Sequence, residues 1–436
     1  MAENRIPLDQ HTIVTNTERK LLWLTGAFVL VNFVALALQD ITDTALWWHL
    51  AVWIVCAVGG SWVLDRLLPL RDPVLFPLVM FLSGWGLVLI DRLAPNFSDR
   101  QTIWLLISVA AMLVVVRIPQ ILRWLRAYRY LVLITGIVLL VSTIVLGQNP
   151  SGLAGAPELW LGFGNVFFQP SEALKVILVI FLASYLSEQF PAMRTQSKLK
   201  AQGMGYQRAW LSPRILGPIL LMWGLSILLV VWQRDLGTAA LFFAVFLVLL
   251  YVASGQVSIL LGGAGLLAVA GFVAYNLFAV VELRVDIWLN PWLEADGRAY
   301  QIVQSLMAFG AGGIFGQGIG QGSPTYIPVV HSDFIFSALA EEYGLLGVAV
   351  MIATMAIIVM RGMRIAVKHE SRPFYSLLAL GLSMLIGIQS LLIMGGVLKL
   401  LPLTGVTLPF MSYGGSSLLA SFIIIGLLLR LSAEVR

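Results

Sequence analysis

Twelve runs of apolar side chains leave this chain few ways to fold: residues 21–38, 45–64, 74–90, 102–116, 130–147, 171–187, 215–232, 236–253, 257–281, 334–360, 375–398 and 416–429. A helix needs about 20 apolar residues to cross the hydrocarbon layer of a bilayer, and most of these runs approach that length. With 59% hydrophobic residues against 11% charged, the chain carries more apolar surface than a water-soluble protein of 436 residues can bury. The expected fold class is an all-α polytopic membrane protein of about 12 transmembrane helices. The first run ends in "ALAL", which looks like a signal-peptidase site, but a polar leader over residues 1–20 before so long a run fits an uncleaved helix.

Charge orients the bundle. With the N-terminus in the cytoplasm, twenty of the 27 lysines and arginines fall in cytoplasmic segments. Arg117, Arg123, Arg126 and Arg129 share one loop, and Arg194, Lys198, Lys200, Arg208 and Arg214 another. Arg92, Arg100, Arg234, Arg284, Arg298 and Lys399 are left outside, and Lys175 within a helix. This bias predicts that both termini are cytoplasmic, and it accounts for the net charge of +5 with no nucleic acid as partner. The single cysteine, Cys56, excludes an internal disulfide, and His11, His49, His331 and His369 show no metal-ligand spacing.

Polar residues inside apolar sequence mark where function can sit, because a charge near the bilayer centre costs about 2.5–3.5 kcal/mol. The stretch "VVHSDFIFSALAEEYGLLG" (329–347) holds three carboxylates. Asp333 stands at the water boundary, where a carboxylate stays ionised and can act as a base, or can cap the helix that follows. Glu341 and Glu342 lie roughly 12 Å deeper at 1.5 Å per residue and read as carboxylates held inside the bundle. Glu172 and Lys175 of "QPSEALK" share a helix face, so they can pair, either to shape a polar cavity or as a catalytic couple. Gln233, Arg234 and Asp235 join the seventh and eighth runs, and Lys399 with residues 401–417 joins the last two. On the predicted topology all of these reach the extracytoplasmic face, which implies one site at the outer leaflet boundary. His331, Ser332 and Asp333 are adjacent and cannot line up as a nucleophilic triad.

Two outer segments are long: 148–170, without lysine or arginine, and 282–333. The second contains Trp288, Trp292 and "AYQIVQSLMAFG", followed by seven glycines between Gly310 and Gly322. The glycines read either as a hinge or as bare backbone N–H groups that approach an anion such as a pyrophosphate.

Five ordered motifs then carry a resemblance: "LWLGFGNVFFQPSEALK" (159–175), "QRDLGTA" (233–239), "YQIVQSLMAFGAGGIFGQGIG" (300–320), "HSDFIFSALAEEYGLLG" (331–347) and "LPLTGVTLPFMSYGGSS" (401–417). Over about residues 74–430 the chain resembles the SEDS family, the RodA- and FtsW-like peptidoglycan glycosyltransferases. The resemblance implies a ten-helix core at 74–430 with a large extracytoplasmic loop at 282–333. It leaves a cytoplasmic segment at 1–20, two extra N-terminal helices at 21–73 and a cytoplasmic tail at 431–436. It also implies polymerisation of lipid II, the undecaprenyl-pyrophosphate-linked disaccharide-pentapeptide, in membrane lipid, beside a class B penicillin-binding protein that crosslinks the strands.

In such proteins the aspartate matching Asp333 is required for polymerisation, and residues matching Glu172 and Lys175 line the central cavity. We expect Gln169, Ser171, Gln233, Arg234, Asp235, Gln304, His331, Lys399, Ser412 and Ser416 to line the same cavity. The chain departs from the family pattern at Leu159, where arginine is common, at Arg234, which replaces a proline, and at Ser332, where threonine is common. Glycosyl transfer from a lipid pyrophosphate needs a base at the acceptor 4-hydroxyl and positive charge, or a divalent cation such as Mg or Mn, at the leaving group. No cluster of metal ligands announces that cation. The rival reading is a lipid II flippase or other twelve-helix transporter, whose working polar groups belong at the midplane between two repeats. A scaffold that anchors other enzymes is the third, and it leaves a polar outer groove unexplained.

Overall fold

A computed structural model describes residues 8–39, 45–149, 158–164, 166–201, 224, 227, 231–233 and 235–434. Among the described residues, eleven helices are long and apolar enough to cross a membrane. They match eleven of the twelve apolar runs; the remaining one, 215–232, lies almost wholly outside the described residues. In chain order the helices are α1 Leu8–Ala37, α2 Ala45–Leu67, α3 Leu75–Leu93, α4 Pro95–Arg117, the short α5 Ile121–Ala127 and α6 Arg129–Leu146. Three strands follow, β1 Gly147–Gln148, β2 Trp160–Phe163 and β3 Val166–Phe168, and then α7 Pro170–Ala201, α8 Leu236–Ser254 and α9 Val257–Leu277. The last part holds α10 Ala279–Leu289, α11 Tyr300–Gly312, α12 Ile335–Lys368, α13 Pro373–Val397 and α14 Gly415–Ala433.

The chain divides into two compact units. The first comprises residues 1–119, 284–361 and 389–436, and the second 120–283 and 362–388.

In the first unit α3 is buried on nearly every side, packed by α1, α2 and α4, while α14 lies along α4. A helix that is apolar all round is the form expected of such a central position. α4 is longer than its apolar run because Ser98, Gln101 and Thr102 at its start are buried in protein. α1 likewise begins well before its apolar run. Inside the leader, Glu18 accepts two hydrogen bonds from Arg71, at 2.8 and 2.6 Å, and one from Ser61 at 2.7 Å. Both charges are wholly buried, so removing Arg71 alone would strand Glu18 at a cost of about 3–5 kcal/mol. Arg361 similarly ties α12 to Asp72, at 2.8 Å.

The region 282–333, expected as one long loop, is largely helical. It includes most of α10, α11 and two 3-10 turns at Pro291–Glu294 and Pro324–Tyr326. α12 is not one rod, because Gly344 has φ 64° and ψ −166° and interrupts it. The glycine-rich stretch plugs the break. Leu345 and Leu346 N–H groups donate to the carbonyls of Gly313 and Ile314, at 2.9 and 3.2 Å. Gln317 and Gly318 N–H groups donate to those of Glu341 and Glu342, at 2.9 and 3.0 Å. The two chains cross so closely that a β-carbon on Gly316 would lie 2.2 Å from the Glu342 carbonyl oxygen. The glycines therefore serve close backbone packing, and the N–H groups of Gln317 and Gly318 are already used.

In the second unit α7 packs between α6 and α8, and α9 leans on α8 with most of its surface exposed. Arg129 at the start of α6 donates to Glu188 on α7 at 2.8 Å. The strands form an antiparallel sheet in the order β1-β2-β3, with Gly147 opposite Leu161 and Leu161 opposite Phe168. Trp160 begins the central strand and Leu159 directly precedes it; among the described residues this small sheet is the one addition to the all-α class.

Candidate functional site

The segment before α12 sets Asp333 outside regular structure. Ser332 Oγ donates to Asp333 Oδ1 at 2.8 Å, and the half-buried carboxylate accepts no backbone N–H of the following helix among the described residues. It is not a helix cap. Ser412 Oγ donates to the Ser332 carbonyl at 2.6 Å and accepts from Leu408 N–H at 2.9 Å, while Tyr413 N–H donates to the His331 carbonyl at 2.9 Å. Residues 408–413 thus brace 331–333 through the backbone. The His331 ring stacks on Phe97 at 4.9 Å and meets Tyr413 edge-on at 5.6 Å. It points into an aromatic group rather than toward Ser332, so the three adjacent residues form no triad.

Sequence reasoning counted Arg284 only as an outer charge. Here Arg284 Nη1 donates to the Thr404 carbonyl at 3.2 Å. A β-carbon on Gly405, whose φ is +72°, would lie 3.7 Å from Arg284 Nη2 and 3.9 Å from Asp333 Oδ2. Guanidinium, carboxylate and a bare glycine backbone therefore converge. α10 is held against this segment by Trp288 Nε1 on the Lys399 carbonyl, at 3.1 Å, and by Lys399 Nζ on the Leu289 carbonyl, at 3.3 Å. The Lys399 ammonium is thus turned to a helix end. Burial pushes the Asp333 carboxyl above the usual carboxylate range, against the pull of the Ser332 hydrogen bond and the Arg284 charge. Burial lowers the pKa of His331 and raises that of Tyr413 against the pull of Arg100.

Three non-glycine residues among the described ones have positive φ: Val329 (56°), Lys399 (59°) and Phe410 (67°). All three lie in the segments that frame Asp333. Left-handed backbone costs such residues about 1–3 kcal/mol each and persists where the surroundings over-determine it, which is common at functional sites. Ser416 is buried in the first turn of α14 beside Ser417, which accepts from Thr407 Oγ1 at 2.7 Å. Gln304 is half-buried on α11, next to Ser305, whose hydroxyl is shared with Ser337 at 2.8 Å.

A second polar cluster belongs to the second unit. Pro170 starts α7 and Glu172 lies in its first turn, where an acidic residue suits the helix dipole. Lys175 Nζ contacts Glu172 Oε2, one turn along and buried, so the two are paired. Ser171 Oγ lies 3.5 Å from Asp235 Oδ2, and Gln169 accepts the Glu172 N–H through its carbonyl at 3.1 Å. Asp235 caps α8 by accepting the Thr238 N–H at 3.1 Å. Burial raises its pKa, Thr238 lowers it, and Glu172 and Lys175 act in opposite directions. Gln233 Nε2 donates to the Leu140 carbonyl at 3.0 Å and to Thr143. Arg234 lies outside the described residues.

The deeper carboxylates hold the plugged helix together. Glu341 Oε1 accepts the Ser323 N–H at 2.7 Å, and Glu342 faces Arg92 at 3.5 Å. Among the described residues no group of three or more His, Cys, Asp or Glu is placed to hold a metal ion by itself.

Known proteins give this arrangement a context. A model of the FtsW, RodA and SpoVE family, described as a cell cycle protein, matches residues 72–436. The peptidoglycan glycosyltransferase RodA of Mycobacterium tuberculosis is 36% identical over 97% of this chain and 92% of its own. A probable peptidoglycan glycosyltransferase FtsW of Geobacter metallireducens is 34% identical over 78% of this chain and 86% of its own. A solved peptidoglycan synthase complex, studied for how it coordinates polymerisation and crosslinking, contains a chain 26% identical to this one. It matches with a TM-score of 0.66 over 83% of this chain and 97% of that one. The crystal structure of the rod shape determining protein RodA of Thermus thermophilus matches in fold, at 24% identity, a TM-score of 0.59 and 84% and 97% coverage. By sequence along nearly its whole length and by the course of its backbone, this chain belongs to the FtsW/RodA/SpoVE family.

Proposed function

We propose that the protein is a peptidoglycan glycosyltransferase that polymerises lipid II into glycan strands at the outer face of the cytoplasmic membrane, for cell elongation or division. The observation that carries this reading is the meeting of Asp333, Arg284 and Gly405 in strained, braced backbone. Asp333 serves as general base. It takes the proton of the acceptor 4-hydroxyl as that oxygen bonds to the anomeric carbon of the donor, and the bond to pyrophosphate breaks with its electrons leaving on the lipid pyrophosphate. Arg284 offsets negative charge at the site, and Ser332 orients the carboxylate. A Mg or Mn ion would be held mainly by the pyrophosphate oxygens of the substrate, as Mg commonly is. When bound, it supplies positive charge at the leaving group. Glu172, Lys175 and Asp235 are proposed to line the polar cavity rather than to react.

Twelve spans with both termini in the cytoplasm complete the reading: the eleven described helices, the apolar run 215–232 and the bias of lysine and arginine support it. Residues 74–430 would form the family core and 21–73 an added helix pair. The partner is a class B penicillin-binding protein, in keeping with the solved synthase complex that joins polymerisation to crosslinking.

The test is glycan formation from purified lipid II, by wild type and Asp333→Asn, each alone and with a class B partner. Polymer from wild type only supports activity and base together, and equal polymer from both removes Asp333 from the chemistry. If the partnered protein makes no polymer yet moves lipid II across a bilayer, the flippase reading replaces this one.

A further inference from the structure

We propose that α1 and α2 form a clamp that positions the Asp333 segment, with Asn32, Gln39 and His49 as its positioning residues. The clamp rests on the polymerase reading and extends it to a part of the chain that precedes the family-matched region.

α1 grips the plugged break of α12 at two points. Asn32 is buried; its Nδ2 donates to the Phe28 carbonyl at 2.7 Å, which leaves Oδ1 to accept the Tyr343 hydroxyl, also at 2.7 Å. Tyr343 directly precedes Gly344, and its ring packs edge-on against Trp85 at 4.9 Å. At the end of α1 the Gln39 amide donates to the Ile319 carbonyl. Gly320 sits so close to Gln39 that a β-carbon there would overlap the amide.

α2 grips the corner between α3 and α4. His49 is buried, with Nδ1 3.0 Å from Asp91 Oδ2 and Nε2 3.0 Å from Asp99 Oδ1. One carboxylate ends α3 and the other lies in the first turns of α4, so a single ring holds both arms of the corner. That corner reaches the site three times. Arg92 Nη2 donates to the carbonyls of Gly320 and Gly322, each at 3.2 Å, and the Phe97 ring stacks on His331. Gln101 spans the Ser412 carbonyl and the Gly414 N–H, each at 3.3 Å.

None of the clamp residues touches Asp333. Asn32 acts through Tyr343 at the break in α12, and Gln39 and His49 act through residues 319–333 and 408–414, which are mostly irregular backbone and include the left-handed Val329 and Phe410. A catalytic carboxylate on such a segment keeps its geometry only if the segment is held from outside, and small displacements are costly to rate.

The experiment compares wild type with Gln39→Ala, His49→Ala, His49→Gln and Asn32→Leu, using purified full-length protein, lipid II, kcat and KM for glycan formation, and thermal unfolding. Trp23→Leu, on the exposed side of α1, is the control and keeps wild-type rates. Gln39→Ala and His49→Ala are each expected to lower kcat by about three- to tenfold with KM within about twofold. His49→Gln, which keeps an amide donor for the carboxylates, is expected to recover more than half of the loss. Gln39 is exposed, so its truncation spares the core and carries the test if His49→Ala unfolds. Active wild type with every variant at wild-type kcat overturns the clamp alone. An inactive wild type overturns the polymerase reading beneath it.

Discussion

The polar cluster described in each unit sets a carboxylate against a cation, and the two pairs are built on opposite plans. Glu172 and Lys175 stand a turn apart on a regular helix, buried and in direct contact. Asp333 lies in irregular backbone, half-buried, and its cation comes from a distant part of the chain. A local buried pair neutralises itself and asks little of its surroundings. A remote pair must be held by everything between its members, which here means Ser332, Ser412, Thr404 and the strained turns at Val329, Lys399 and Phe410. The contrast separates a device for keeping charge in a membrane from a device for moving a proton.

The sharpest way to break this contrast is to neutralise each carboxylate. Asp333→Asn should lower polymerisation by about a thousandfold, within the range for loss of a general base, while the unfolding temperature stays at the wild-type value. Next come Glu172→Gln and Lys175→Met, each expected to cost about 3–5 kcal/mol of stability in thermal or denaturant unfolding, because each removes one half of a buried ion pair. The double variant should recover most of that loss. If both singles are stable and inactive, the pair is catalytic and the contrast fails.

Arg284→Ala should lower the rate by about tenfold to a hundredfold through the loss of one charged contact. It should also move the acid limb of the pH–rate profile. A base works only when ionised, so activity falls as pH drops through the pKa of Asp333. Arg284 pulls that pKa down against burial, so its removal lets the pKa rise and carries the limb to higher pH. Ser332→Ala, by the same sign, should shift the limb upward and by more, because the Ser332 hydrogen bond pulls the Asp333 pKa down harder than the Arg284 charge does. It should slow the reaction by about tenfold, as befits one hydrogen bond to a charged group. An unmoved limb in both variants would take Asp333 out of the role of base.

Much of this was legible in the sequence. Eleven of the twelve apolar runs are helices, and "HSDFIF" and "QPSEALK" place Asp333, Glu172 and Lys175 in polar clusters of the two units. What escaped depends on partners far apart in sequence. Arg284 looks like any outer arginine until Thr404 and Gly405 fold over it. The polar starts of α1 and α4 read as leader and loop because their burial comes from Arg71 and from neighbouring helices. The break in α12 was hidden because "EEYGLLG" is helical by composition, and only backbone groups of residues 313–318 show Gly344 to be a joint.

That joint bears on how the chain is made. A rod can slide into lipid alone, since its peptide groups satisfy one another, but α12 cannot. Around Gly344 two N–H groups and two carbonyls depend on residues 313–318, and leaving such groups bare in hydrocarbon costs several kcal/mol apiece, roughly. The glycine-rich stretch is synthesised first and must be waiting when the second half of α12 arrives. Biogenesis of this protein therefore has an order written into it, in which the glycine-rich segment is the template on which a membrane span is completed.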